Sequence, residues 1–153
     1  MNLAIQLATV ADLPEVLRPY RESGVDRGSD LTLAAAEQWF QRLQAYPNYT
    51  LWIATLPEDG DRPVGTFALL VMDNLVHHGS PAGIVEGVAV DPAYQGRGIG
   101  RQMMQTAIAQ CQAAGCYKLS LSTNLKRKEA HAFYESLDFQ RHGYSYVVEL
   151  TDH

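Results

Sequence analysis

The sequence predicts a single α/β domain built on a mixed sheet with helices on both faces, and three observations lead there. Short β-rich runs and helical stripes follow one another along all 153 residues in the order β-α-α-β-β-β-α-β-α-β-β, about seven strands and four helices. Residues 50–72 hold two β-rich runs joined by the turn PEDGDR, an antiparallel hairpin. Residues 85–114 (VEGVAVDPAYQGRGIGRQMMQTAIAQCQAA) pass from an apolar strand through a glycine-rich loop into a helix. The length suits one domain with one substantial core, and no repeat, linker or low-complexity segment divides it.

Residues 3–7 (LAIQL) alternate like a half-covered first strand. Asp12-Leu13-Pro14-Glu15 reads as a capping box with proline in the first turn, so a helix should run to about Ser23 with Leu13, Val16, Leu17 and Tyr20 inward, ended by Gly24. Residues 24–31 (GVDRGSDL) are polar turn formers and read as a surface loop. A second helix should start near Thr32, with Leu33, Ala36, Phe40 and Leu43 as its stripe, Trp39 at the edge and Pro47 as the stop. Core packing explains Trp39 and Phe40 better than substrate contact does.

Strands follow at 50–56 and 63–72, then a loop over 74–83 and a strand over 84–90. The helix after the glycine loop has Met103, Met104, Ala107 and Ile108 at helical spacing and should end at Gly115. Residues 117–123 (YKLSLST) alternate like a strand. Asn124 can cap a helix over 126–136 that buries Ala130, Phe133, Tyr134 and Leu137. Residues 139–141 and 144–150 (YSYVVEL) read as a closing pair of strands.

The composition is that of a globular protein, 46% hydrophobic and 19% charged. A net charge of −5 argues against a general nucleic-acid surface. No apolar stretch has a spanning length and no basic-then-apolar leader is visible, so the expectation is a soluble, cytoplasmic protein without membrane attachment. Cys111 and Cys116 form one Cys-x4-Cys pair, which makes no zinc site and reads as buried thiols rather than a disulfide. His77 and His78 read as solvated loop residues, because no carboxylate or third histidine stands at ligand spacing.

Three features carry candidate chemistry. The junction at Gln95, Gly96, Arg97, Gly98, Ile99 and Gly100 can aim unpaired N–H groups and the positive end of a helix dipole at one anion; a tight turn using glycine explains the same residues. Glu86 interrupts the apolar strand GIVEGVAV, where it must face solvent, pair with a cation or serve a site; partial desolvation would make it a general base. Strict alternation puts Glu86 on one face with Val88 and Val90, so a bulge nearby would be needed to aim it. Tyr134 lies on the last helix, where its phenol can donate a proton to a thiolate or simply reach water from a core ring.

Together these residues resemble the GNAT superfamily of acyl-CoA-dependent N-acyltransferases over nearly the whole chain. The family's pattern Gln/Arg-x-x-Gly-x-Gly/Ala is matched from Gln95 to Gly100, after a strand ending Val90-Asp91-Pro92. Its later motif Phe-Tyr-x-x-Leu-Gly-Phe is matched from Phe133 to Phe139, with Asp138 where glycine is usual, in a turn that aspartate can adopt.

The resemblance implies a sheet splayed at its centre, with acetyl-CoA as co-substrate and no metal. Val88, Ala89 and Val90 would hold the pantetheine arm, and the N–H groups of Gln95 through Gly100, with Arg97 and Arg101, the pyrophosphate. Asn124 matches a cofactor-contacting position. Tyr134 would be the general acid for the leaving thiolate and Glu86 the base, acting through water, in direct transfer within a ternary complex. The acceptor would be set by loops, among them residues 21–31, where Glu22, Asp26 and Asp30 could attract a cationic amine. A small-molecule primary amine is the first expectation and a peptide or protein amine the second. A non-catalytic acyl-CoA-binding module is the reading from another class, and a homodimer is compatible with all of them.

Overall fold

The computed structural model describes residues 2–22 and 31–151. The predicted surface loop at 24–30, with Gly24, Asp26 and Asp30, lies outside the described residues. The chain forms two compact units, Met1–Leu121 and Ser122–His153.

The first unit is organised by a five-stranded sheet. Its strands are β1 (Ala4–Leu7), β2 (Tyr49–Leu56), β3 (Arg62–Met72), β4 (Ala82–Val90) and β5 (Lys118–Ser120), paired in chain order. The first four are antiparallel neighbours, and β5 lies parallel to β4. Parallel pairing requires a crossover between β4 and β5. That crossover is α3 (Ile99–Ala113), the helix that follows the glycine loop. Helices α1 (Leu13–Glu22) and α2 (Leu33–Ala45) lie between β1 and β2 in the chain.

The two faces of the sheet are covered by different helices. On one, α3 packs close: a Cβ at Gly65 would lie 2.9 Å from Met103 Sδ, and one at Gly83 would run into Cys111 Sγ. Met103, Met104 and Ala107 are fully buried. On the other face Val16 and Tyr20 of α1 pack with Ala8, Leu51 and Ile53, while Leu13 and Leu17 join Ala36 and Phe40 of α2. The mixed sheet with helices on both faces predicted from the sequence is therefore present in this unit.

Helix ends follow local chemistry. Thr32 Oγ1 accepts from Ala35 N–H at 3.1 Å and starts α2. At the end of α3, Gly115 takes φ +77°, Cys116 N–H donates to Cys111 O at 2.9 Å and Gly115 N–H to Gln112 O at 3.1 Å. This double bond pattern satisfies two terminal carbonyls and needs a residue tolerant of positive φ. The expected capping box differs in place. Asp12 closes a 3₁₀ turn at Val10–Asp12 and accepts from Thr9 N–H at 2.7 Å, so the cap lies one turn before α1.

The second unit contains α4 (Lys128–Ser136). Its start is prepared by Asn124, whose Oδ1 accepts from Lys126 N–H at 2.9 Å and whose carbonyl accepts from Arg127 N–H at 3.0 Å. Asn124 thus makes the turn before the helix rather than capping it directly. Ala130, Phe133, Tyr134 and Leu137 are half-buried. After α4, Asp138 makes the turn anticipated for it, in the left-handed conformation at φ 68°, and Phe139 N–H returns to Tyr134 O at 3.1 Å.

Strand count is where the structure departs from expectation. Residues 139–141 and 144–150 form no strand, and β5 has only Lys118–Ser120 of the run predicted at 117–123. Tyr144, Tyr146, Val147, Val148 and Leu150 are all exposed. Alternation reports a preference for extended backbone, but a strand exists only where another backbone offers its N–H and C=O groups. Among the described residues no ladder partner meets this segment.

Candidate functional site

The site begins with a fault in the β3–β4 ladder. Ala68 pairs with Glu86, yet Thr66 pairs with Ala89, so Phe67 alone faces both Gly87 and Val88. One extra residue on β4 makes a β-bulge. Gly87 sits there at φ +60°, and a Cβ on it would come 3.1 Å from the hydroxyl of Tyr20. Conformation and space both call for glycine at this position.

The bulge changes which side chains share a face. Residues directly opposite in a ladder point the same way. Glu86, paired with Ala68, shares the α1 and α2 face, whereas Val90, paired with Gly65, points to α3. Strict alternation would have kept Glu86 and Val90 together, so the bulge suspected from the sequence is what separates them.

Glu86 is exposed and lines a cavity of about 360 Å³ with Tyr49, Ala68, Leu70 and Ile84. Burial, with the Glu86 charge nearby, pushes the Tyr49 phenol above its ordinary range. Tyr20, deep under the bulge, is likewise pushed up by burial, and a hydrogen bond with Thr66 only partly opposes this. Both hydroxyls therefore keep their protons at neutral pH.

The end of β4 is fixed electrostatically. Asp91 is 2% exposed, and its carboxylate pairs with Arg18 of α1. Arg18 also donates to Glu15 at 2.9 Å and to Pro63 O at 3.0 Å, and Arg62 Nη2 lies 3.9 Å from Asp91. Asp91 Oδ1 accepts from Ala93 N–H at 2.9 Å, and Asp91 N–H donates to Val64 O at 2.8 Å. Burial works against the charge on Asp91, but Arg18, Ala93 N–H and Arg62 outweigh it and hold the carboxyl below its ordinary value. Burial likewise opposes the charge on Arg18, and the carboxylates around it prevail. This cluster clamps α1, β3 and the start of the glycine loop to one another.

Beyond the clamp, the loop opens. Gln95 N–H reaches Pro92 O at 3.5 Å, and its side-chain amide reaches Val90 O at 3.4 Å. Gln102 N–H donates to Gly98 O at 3.1 Å. The N–H groups of residues 96–100 make no backbone hydrogen bond among the described residues. Gly96 and Gly98 both take φ +81°, and nothing stands within 4 Å of where a Cβ would be. An open nest of unpaired N–H groups at a helix N-terminus fits a phosphate-bearing ligand, and a side chain there would fill the space. The Arg97 guanidinium lies 4.9 Å from the ring centre of Tyr94, whose hydroxyl donates to Asp59 at 3.0 Å. Ile99 is buried and anchors the loop to the core.

In the second unit, Tyr134 is held between aromatic edges, with ring centres 5.1 Å from Phe133 and 5.7 Å from Phe139. Burial pushes its phenol up, partly opposed by the Arg127 charge, so the proton is retained at neutral pH. His131 Nε2 stands 2.8 Å from the Asn124 carbonyl.

The remaining candidates fall away from this chemistry. Cys111 is buried against β4 and its thiol is pushed up to about 12, chiefly by burial and then by Cys116. Cys116 is only half-buried, and both thiols are free. His77 stacks on Tyr117 at 3.8 Å, and no described cluster of residues could hold a metal ion. Phe40 is core, as expected, but Trp39 is 50% exposed beneath Arg42. Sequence reasoning missed Arg18, Tyr20 and Tyr49 as neighbours of the site. A lone arginine in an amphipathic helix signals nothing until its distant partner, Asp91, is known.

Comparison with known proteins decides the family. The model of the acetyltransferase (GNAT) family matches residues 13–139. The chain belongs to the GNAT family. Among solved structures, a GNAT-like neighbour from Agrobacterium tumefaciens str. C58, provisionally named an acetyltransferase, is 32% identical with a TM-score of 0.88. That match covers 95% of this chain and 99% of the neighbour. Glucosamine 6-phosphate N-acetyltransferase of Trypanosoma brucei brucei is 33% identical over 81 residues, 53% of either chain. Aminoalkylphosphonate N-acetyltransferase of Salmonella typhimurium is 37% identical over 71 residues, 46% of either chain. The chain spans about half the length of these curated relatives.

The clamp gives a pH-dependent prediction. Asp91 titrates lower in the folded chain than its ordinary 3.8, so its stabilisation is complete above that value and lost as pH falls through the lower folded one. Thermal unfolding followed from about pH 5 to 3 should show a falling midpoint in the natural protein. Asp91→Asn should start from a lower midpoint and fall less over the same range. Arg18→Ala, which strands a buried carboxylate, should lower stability at neutral pH by about 3 kcal/mol in urea unfolding.

Proposed function

We propose that the chain is an N-acetyltransferase that moves an acetyl group from acetyl-CoA to a small-molecule primary amine, directly and within a ternary complex. One observation carries this reading: in a member of the GNAT family, the open N–H nest at residues 96–100 follows a bulged strand that leaves Glu86 on the face opposite Val90. The family match runs across both compact units, which supports residues 1–153 acting as one acetyltransferase domain. The two curated relatives are named for amines of small molecules, which supports the same class of acceptor.

When bound, acetyl-CoA supplies an activated acetyl group: a bond forms from amine nitrogen to carbonyl carbon, the carbon–sulfur bond breaks, and of the two protons lost by the ammonium one ends on sulfur and one in solvent. The N–H groups of residues 96–100 hold the pyrophosphate, each such hydrogen bond contributing roughly 1.5–3 kcal/mol. Gln95, Arg97 and Arg101 add contacts around it, and Asn124 is a further cofactor-contacting residue. The backbone of Val88, Ala89 and Val90, at and just after the bulge, holds the pantetheine arm. Glu86, exposed and ionisable, takes a proton from the ammonium through water. Tyr134, kept protonated by its half-buried aromatic setting, gives a proton to the thiolate.

Two variants test the assignments separately. Gly98→Leu puts a side chain at φ +81°, where it strains the loop locally, so the far-ultraviolet circular dichroism should keep the signal of the helices and sheet while acetyl-CoA binding by calorimetry weakens about tenfold or more. Normal affinity would remove the loop from cofactor binding. Tyr134→Phe should lower kcat by roughly 10²–10⁴-fold at unchanged acetyl-CoA affinity, and an unaltered kcat would remove Tyr134 from proton transfer.

A further inference from the structure

We propose that the cavity lined by Tyr49, Ala68, Leu70, Ile84 and Glu86 receives the acceptor, and that the acceptor is a cationic amine carried on an apolar alkyl or aryl body. This inference rests on the acetyltransferase reading and narrows it to a substrate class.

The cavity is built by register. Tyr49 pairs with Leu70, Leu70 with Ile84, and Ala68 with Glu86, so all five side chains rise from the same face of neighbouring strands. This is the face opposite α3, and Glu86 stands beside the bulge that opens the β3–β4 ladder. At about 360 Å³ the cavity lies within the range of small-molecule sites.

Its chemistry is one-sided. Among the described lining residues Glu86 offers a carboxylate to an ammonium group, and Tyr49, neutral at physiological pH, adds a hydroxyl that can donate or accept. The other three lining residues, Ala68, Leu70 and Ile84, are apolar and favour a hydrocarbon or ring over a hydrated group. No lysine, arginine or histidine lines the cavity among the described residues. A phosphate or phosphonate would bring negative charge beside Glu86 with no cation among the described lining residues to pair it, which selects against such acceptors by repulsion and desolvation. The site therefore contrasts with the phosphorylated and phosphonate amines for which the two curated relatives are named.

The test compares 2-phenylethylamine, hexylamine, glucosamine 6-phosphate and 2-aminoethylphosphonate as acceptors for the purified full chain, following thiol release from acetyl-CoA. The two apolar amines should show kcat/KM about tenfold or more above both phosphorus-bearing amines. Leu70→Ser and Ile84→Ser, each verified as folded by thermal melting, should raise KM for hexylamine about tenfold. Their kcat and acetyl-CoA affinity should stay near those of the natural protein. Preference for either phosphorus-bearing amine, no turnover of any of the four, or an unchanged KM in both variants would overturn the inference. Calorimetry with acetyl-CoA separates the two levels: absence of binding sinks the acetyltransferase reading itself, whereas binding with turnover of the phosphorus-bearing amines sinks only the substrate class.

Discussion

The arrangement depends on one extra residue in β4. With Phe67 facing both Gly87 and Val88, the strand changes phase, so Glu86 stays on the face of α1 and α2 while Val90 turns to α3. Ladder pairing favours unbroken alternation, and the fault persists because Gly87 can adopt φ +60° and leaves room for Tyr20. The cavity at Glu86 thus lies before the bulge and the strand leading to the glycine loop lies after it. A shift of one residue would exchange the faces and place the carboxylate against the buried methionines of α3.

The second constraint is electrostatic and follows directly from the first. A strand that changes phase needs its end fixed, and Asp91 supplies this by taking Arg18 of α1 and Ala93 N–H at once, with Arg62 near. Buried pairs of this kind contribute more to placing elements than to net stability, since desolvation offsets most of their attraction. Here the placed element is the loop. Asp91 ends β4, Ile99 locks the head of α3 into the core, and between them Gly96 and Gly98 leave a nest of N–H groups open. The nest is anchored at both ends, by Asp91 and by Ile99, and no side chain fills it, an arrangement suited to preorganised anion binding.

Much of this was legible in the sequence, for reasons that are local. The glycine loop, its strand and its helix are contiguous, so spacing alone located them. Gly115 as a helix end, a helix start near Thr32 and a turn at Asp138 also follow from short-range chemistry. The anomaly of a carboxylate inside GIVEGVAV pointed to Glu86 and to a bulge, though not to which residue would carry it. What could not be read is what depends on distant pairing. Arg18 and Asp91 are far apart in the chain, and Tyr49 joins Glu86 only through two ladder registers. The closing run at 144–150 shows the converse: its alternation promised a strand, but strand formation needs a partner backbone that no local pattern encodes.

Residue-resolved amide exchange with and without acetyl-CoA tests whether the N–H groups of the glycine loop hold the cofactor's pyrophosphate. At saturating acetyl-CoA, the amides of residues 96–100 should slow by about tenfold or more, because each exchanges water for a phosphate oxygen. Unchanged exchange at those amides, with acetyl-CoA bound, would contradict the account.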